Sequence, residues 1–154
     1  MDTVEIIKII LAPAVMISCC GLFLLGMNNK YSVVVGRIRT LEDEKRRLIA
    51  KKRDEKLNDN EDVRYNSILN QLAKLFYRLK LVRNAVIFYN LAVAFFIITC
   101  LLIGFEAIFN MPHSSFSVYI PFFVGLFFVF LGVYYATREI IKGYDIVKIE
   151  ISEN

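Results

Sequence analysis

Charged side chains are missing from three long stretches of this 154-residue sequence. None occurs from Ile9 to Asn29 (21 positions), from Asn84 to Phe105 (22 positions) or from Ala107 to Thr137 (31 positions). A helix needs about 20 apolar residues to cross the roughly 30 Å hydrocarbon core of a bilayer, so each stretch is long enough to span it. The hydrophobic residues, 56% of the chain, are concentrated in these runs, which excludes a small soluble domain. We expect a multi-pass protein of the lipid bilayer.

The sequence also has little of the chemistry that marks an enzyme. Its three cysteines are Cys19, Cys20 and Cys100, and its one histidine is His113. The cysteines lie at different depths of the first two stretches, so we expect buried thiols rather than a disulfide or a metal site. No stretch has a charged residue in its middle, as proton relays and voltage sensors do. With no nucleophile–base pair and no phosphate-binding glycine loop, we expect no catalytic site, no cofactor and no metal.

The charges that are present lie mostly between the first two stretches. Residues 30–83 hold 15 of the 19 Lys and Arg side chains and 8 of the 15 Asp and Glu side chains, a local balance of +7. The other 100 residues hold 4 basic and 7 acidic side chains, a balance of −3. Lys and Arg accumulate in cytoplasmic loops, so we expect the N-terminus outside and the C-terminus inside. The predicted segments are transmembrane helix 1 (6–29), a cytoplasmic helical hairpin (30–83), transmembrane helix 2 (84–105), an external loop (106–117), transmembrane helix 3 (118–137) and a cytoplasmic tail (138–154).

Heptad spacing predicts that the charged loop is an antiparallel helical hairpin with a coiled-coil seam. Asn58–Asp62 is rich in Asn and Asp and is predicted to form the turn and the N-cap of the second arm. The apolar positions of the first arm are Val34, Ile38, Leu41 and Leu48, and those of the second are Tyr65, Ile68, Leu72, Leu75, Leu79 and Val82. Because the register of the first arm crosses Lys45, its half of the seam is incomplete. The second arm is therefore expected to pack also on another copy or a partner, through Ile68, Leu72, Leu75 and Leu79.

Small residues mark a candidate helix-packing interface within the spans. Ala14, Ser18 and Gly21 share one face of the first span, and Gly125 and Gly132 lie seven residues apart in the third. Such stripes let helix backbones approach closely in lipid. For the first span, two readings stay open: internal packing against the other spans, or an interface between subunits.

Two further segments outside the spans carry predictions. The basic clusters 45–47 and 51–53 are flanked by acidic residues at helical spacing, which favours a solvated helix face over a docking surface for an acidic partner. We expect no nucleic acid partner. After Gly143, a predicted helix stop, apolar and polar residues alternate from 147 to 152, which is typical of a strand.

Residues 11–48, about a quarter of the chain, resemble a known family, and the rest resembles it in topology only. The segments 13–18 (PAVMIS) and 21–32 (GLFLLGMNNKYS), then Arg37-Ile38-Arg39 and Leu41, look like the uncharacterised bacterial membrane family catalogued as domain of unknown function 2721. The resemblance implies a small protein of the bacterial inner membrane and supplies no activity. In topology alone the chain is similar to the ExbB/TolQ-type subunits of stator channels, which are ring oligomers.

The sequence leaves two functional hypotheses. The first is a non-enzymatic structural or accessory subunit, homo-oligomeric or bound to a larger membrane complex, in an all-α three-span fold. The second is a pore-forming oligomer that conducts ions or small solutes. A pore needs a polar or small-residue lining, for which the candidates are Ser18, Asn28, Asn29 and Thr99.

Overall fold

The structure, a computed structural model, consists of three long helices. It describes the backbone of residues 3–54, 59–109 and 115–152, and the side chains of residues 4, 7–51, 61–109 and 116–143. The helices are α1 (Thr3–Asp54), α2 (Asp59–Phe109) and α3 (Ser115–Ser152). Each contains a stretch long and apolar enough to cross a membrane. The prediction of an all-α fold with three such helices is confirmed.

Two local predictions from the sequence are wrong. The tail is helical to Ser152, and Gly143 lies inside α3 rather than at its end. A lone strand would leave its backbone groups without a ladder partner, whereas a continued helix pairs them within the segment. Helix α2 begins at Asp59, so residues 59–62 of the predicted turn are helical. The predicted N-cap at the start of this helix falls on Asn58, which lies outside the described residues.

The chain divides into two compact units, and all three helices contribute to each. The apolar unit comprises Met1–Asn28 and Asn84–Ala136, and the charged unit comprises Asn29–Arg83 and Thr137–Asn154.

The core of the apolar unit is built around one stripe of α2. Its buried members are Ala85, Tyr89, Ala92, Phe96, Thr99 and Ile103. Helix α1 packs Cys20 against Ala92 and Phe96, and Phe23 stacks on Tyr89 with ring centroids 5.4 Å apart. Phe122 and Phe128 of α3 pack against the same cluster, so all three apolar helices meet in this core.

The core of the charged unit joins α1 to α2. Its buried cluster consists of Val34, Ile38, Leu41, Ile68 and Leu72, with Leu48, Leu75 and Leu79 packed against it. Ion pairs across the two helices give their direction. Arg64 donates two hydrogen bonds to the carboxylate of Glu44, at 2.8 and 3.1 Å, and Lys51 pairs with Glu61. The partner's number falls on α2 as the residue number rises on α1, so the helices are antiparallel.

Candidate functional site

The charged unit contains one buried carboxylate held by two cations. Glu139 of α3 is 2% exposed at its side chain. Its Oε1 accepts a hydrogen bond from Arg78 Nη2 of α2 at 2.7 Å, and its Oε2 accepts one from Lys30 Nζ of α1 at 3.0 Å. The Arg78 and Lys30 side chains are 23% and 44% exposed. A single carboxylate therefore bridges all three helices of this unit, and we call these three residues the Glu139 cluster.

Gly143 provides the space for the guanidinium of the cluster. A Cβ atom at position 143 would lie 3.0 Å from Arg78 Nη2 and 3.3 Å from its Cζ. These contacts are tight, so a larger residue at position 143 would require the guanidinium to shift by a few tenths of an ångström. Gly143 lies one turn beyond Glu139 on the same continuous helix, and its lack of a side chain leaves room for Arg78.

The electrostatics of the cluster keep Glu139 ionised. Burial alone raises the pKa of the Glu139 carboxyl, but the hydrogen bonds from Arg78 and Lys30 outweigh it and lower that pKa below its usual range. Two cations face one anion, so the cluster carries a net charge of about +1 at neutral pH. Arg78 Nε is buried and has no hydrogen-bond partner among the described residues. A buried donor left unpaired costs about 1–3 kcal/mol.

An open groove of about 460 Å³ runs beside the cluster. It is lined by Asn29, Lys30, Val33, Val34, Arg78, Glu139, Ile140 and Gly143, and we call it the Glu139 groove. Val33 and Ile140 are exposed in its walls. The groove therefore combines two cationic side chains with an apolar surface.

The Glu139 cluster was not predicted from the sequence. Glu139 follows Arg138 directly after a predicted span, where a charged residue is expected to be solvated, and its partners lie 61 and 109 residues away. One signal was present. Gly125, Gly132 and Glu139 are spaced by seven, so Glu139 continues the helix face on which the two glycines lie.

The two glycines of the third span lie at close contacts with α2. A Cβ atom on Gly125 would lie 2.9 Å from the Phe96 ring, and one on Gly132 would lie 2.9 Å from the Tyr89 ring. Both positions belong to the packing inside the apolar unit.

The small-residue face of the first span is placed differently. Ser18 and Gly21 are exposed and Ala14 is half-buried, and a Cβ atom on Gly21 would meet nothing within 4 Å. The Ser18 hydroxyl donates to the backbone oxygen of Ala14 at 3.3 Å, within its own helix. Gly21 therefore has no internal packing partner within the part of the chain that the structure describes.

The predicted seam of the second arm lies inside one chain. Ile68 and Leu72 are buried and Leu75 and Leu79 are half-buried, all four in the cluster shared with α1. Helix α1 covers this face in spite of Lys45, which is only half-buried. A role of these four residues between copies stays a prediction.

The cysteines are free thiols in the apolar unit. Cys20 is buried and Cys100 half-buried, but Cys19 is exposed on the single chain, contrary to expectation. Adjacent residues of a helix point about 100° apart, so the helix that packs Cys20 against α2 directs Cys19 to another face. The described residues contain no group of three side chains suited to a metal ion, and His113 lies outside them.

These features define a class: a helical protein with three apolar helices, which indicate multi-pass membrane insertion, and a charged helical unit joined by a buried ion cluster. The chain belongs to the family described as "Protein of unknown function (DUF2721)", whose model matches residues 10–149. The predicted resemblance is thus confirmed over most of the chain. No curated protein and no solved structure matches it, so the likeness to ExbB/TolQ-type subunits has no support.

Proposed function

We propose that this chain is a non-enzymatic, homo-oligomeric subunit of the bacterial inner membrane with a structural or accessory role. Its N-terminus is outside, and the charged unit is presented to the cytoplasm as a helical module. The balance of +7 in residues 30–83 supports this orientation. So does the absence of Lys and Arg from residues 106–117.

The observation that carries self-association is a second apolar stripe on α2. The first stripe, with Ile68 and Leu72, is covered by α1. The second follows it one residue later, at Leu69, Ala73 and Phe76, and all three are exposed. Together the stripes form an apolar arc wider than a two-helix seam, which is typical of bundles with more than two helices. A second copy of this chain would supply the missing helix.

The first span adds a second reason for self-association. Ser18 and Gly21 lie on a face that α2 and α3 leave open, and small residues at such a face allow close approach of another helix in lipid. Contacts of this kind are individually modest, ~0.6–2 kcal/mol, so the two surfaces act together.

The state of Glu139 supports a non-catalytic role. Both of its oxygens accept hydrogen bonds from cations, and its lowered pKa makes it a weak base at neutral pH. Its geometry is that of a structural tie between helices.

Photo-cross-linking tests the proposed interface. A benzophenone amino acid is placed at Phe76, which is 51% exposed, or at Tyr77, which is 50% exposed and is the matched control. The two positions differ in direction by about 100° around α2. We expect irradiation of membranes to give a covalent dimer from position 76 and much less from position 77. Equal yields from both positions, or no dimer from 76, would contradict the interface.

A pore-forming oligomer is the second candidate function. Ser18, Asn28 and Asn29 are exposed on the single chain and could line a ring, whereas Thr99 is buried and donates its hydroxyl to the Phe95 backbone oxygen at 2.9 Å. Ion flux into proteoliposomes separates the two candidates. We expect no flux above that of empty liposomes; flux that is abolished by Ser18→Leu would favour the pore.

A further inference from the structure

We propose that the Glu139 groove is a binding site for an anionic phospholipid. Lys30 and Arg78 hold its phosphate, and the apolar wall of the groove contacts the first methylenes of an acyl chain, next to the glycerol. This inference goes beyond self-association. It depends on membrane insertion, which is part of the proposed function, and a separate measurement tests it.

The charges of the groove favour an anion. Glu139 already uses both oxygens on Lys30 and Arg78, so the site keeps a net positive charge. Lys30 is nearly half exposed, and an ammonium has three donors, of which Glu139 takes one. The Arg78 side chain is 23% exposed, and its guanidinium has five N–H donors, of which Glu139 takes one. Ammonium and guanidinium groups with free donors are the usual ligands of phosphate in proteins.

The position of the cluster along the helices matches the headgroup layer. Lys30 follows directly after the predicted first span (6–29), and Glu139 comes two residues after the third (118–137). Arg78 precedes the second span by six residues, or about 9 Å along a helix. The polar layer on each side of a bilayer is about 5–8 Å thick, so Lys30 and Glu139 fall within it. The backbone of Arg78 lies just beyond its outer limit, and the guanidinium reaches back to Glu139 at 2.7 Å. By contrast, Lys45 lies about 22 Å beyond Lys30 along α1, out of reach of lipid charge at a Debye length of ~8 Å.

The apolar wall favours a lipid over free phosphate. Val33 is 68% exposed and Ile140 is 58% exposed beside the cationic side chains. An inorganic anion gains nothing from this surface, whereas the first methylenes of an acyl chain lose water on it. A zwitterionic lipid would add its own cation to a positive site, so the headgroup we expect is one with net negative charge, such as phosphatidylglycerol.

A tryptophan reporter can test this site because the chain has no Trp. The Val33→Trp variant places the one indole at the exposed groove wall. It is reconstituted in phosphatidylcholine vesicles that contain a minor fraction of phosphatidylglycerol, with bromine near the glycerol end of the acyl chains of one lipid or the other. Bromine quenches indole on contact, so the quenching at equal mole fraction measures which lipid occupies the groove. We expect brominated phosphatidylglycerol to quench more strongly.

Two further substitutions on this background assign the effect. Lys30→Gln removes one charge-assisted contact and should weaken the preference for phosphatidylglycerol about tenfold. Lys74→Gln is the matched control, since it removes the same charge from an exposed position of the same unit outside the groove. It should leave the preference unchanged. Ile140→Asp places a negative charge in the groove wall and keeps all three residues of the Glu139 cluster. It should abolish the preference for phosphatidylglycerol.

Several outcomes would overturn the site. Equal quenching by the two lipids would do so, as would equal effects of Lys30→Gln and Lys74→Gln, or no effect of Ile140→Asp. Relief of quenching by inorganic phosphate, but not by chloride at matched ionic strength, would assign the site to free phosphate instead. The photo-cross-link from position 76 reports self-association independently, so failure of one proposal is distinguishable from failure of the other.

Discussion

Replacement of Glu139 by glutamine isolates the role of the buried ion cluster. Glu139→Gln keeps the size of the side chain and removes its charge, so Lys30 and Arg78 are left facing each other without a counter-ion. In the wild type, both cations lie within 3.0 Å of the carboxylate. The variant should therefore loosen the charged unit, where α1, α2 and α3 meet at this one residue.

The magnitude follows from how much of the cluster is buried. Removal of one partner from a fully buried pair costs about 3–5 kcal/mol, whereas exposed pairs contribute about 0.2–1 kcal/mol. The carboxylate is 2% exposed, but Arg78 and Lys30 are 23% and 44% exposed and are partly screened by solvent. We expect a loss of about 2–3 kcal/mol, which corresponds to a fall in the melting midpoint of about 5–10 °C for a chain of this size.

The assay is the thermal loss of helical circular dichroism in mild detergent, with hydrogen exchange to locate the change. The control is Glu42→Gln, since Glu42 is a half-buried member of a 4.0 Å pair with Arg46 on the same helix. This variant should change the free energy of unfolding by less than about 0.5 kcal/mol. Faster exchange after Glu139→Gln is expected in residues 29–41 and 68–83. Equal shifts for the two variants, or exchange confined to other segments, would refute a structural role for the cluster.

Three further predictions concern pH, glycine packing and topology. Because the pKa of Glu139 is lowered in the folded state, its contribution is present at neutral pH and is lost as the pH falls below the ordinary value of 4.5; the midpoint of the wild type should therefore fall more steeply in acid than that of Glu139→Gln, and parallel curves would contradict this. Gly132→Ala presses a Cβ atom onto the Tyr89 ring, so we expect it to destabilise the fold by about 1–3 kcal/mol in the same melting assay, whereas Gly26→Ala, which has nothing within 4 Å, should be neutral or slightly stabilising. In a variant without its native cysteines, Asn58→Cys should be protected from an impermeant thiol reagent in intact cells and Ser115→Cys should be labelled, and the opposite pattern would reverse the topology.

The spacing of α2 was the most informative part of the sequence. The stripe from Ile68 through Leu72, Leu75 and Leu79 follows alternating steps of four and three. In the structure the buried positions go on in steps of three or four, through Tyr89 to Ile103. Such a pattern is local, because each residue is set by its position on one helix. It therefore predicts which face is buried without knowledge of the partner.

The candidate site could not be predicted in the same way. Glu139 is buried only because Lys30 and Arg78 come from two other helices, and Gly143 has its role only because Arg78 lies against it. Nothing in the sequence around Glu139 predicted a buried site, and local composition indicated a helix stop at Gly143. Long-range pairing gives both residues their places in the cluster.

The two small-residue stripes show the same limit. Ala14, Ser18 and Gly21 look as suited to close packing as Gly125 and Gly132, since each set lies on one helix face. The structure fills the second set with the rings of Phe96 and Tyr89 and leaves Gly21 open. Spacing identifies a face that permits close approach, but only the aromatic partners determine which face is used within the chain.

The native mass of the purified protein tests self-association most directly. Native mass spectrometry from mild detergent should give a whole-number multiple, two or more, of the 17.8 kDa chain, and the multiple should decrease after Phe76→Lys combined with Gly21→Ile, because both proposed surfaces are then blocked. A single species at 17.8 kDa over the whole accessible range of protein concentration would contradict the homo-oligomeric subunit.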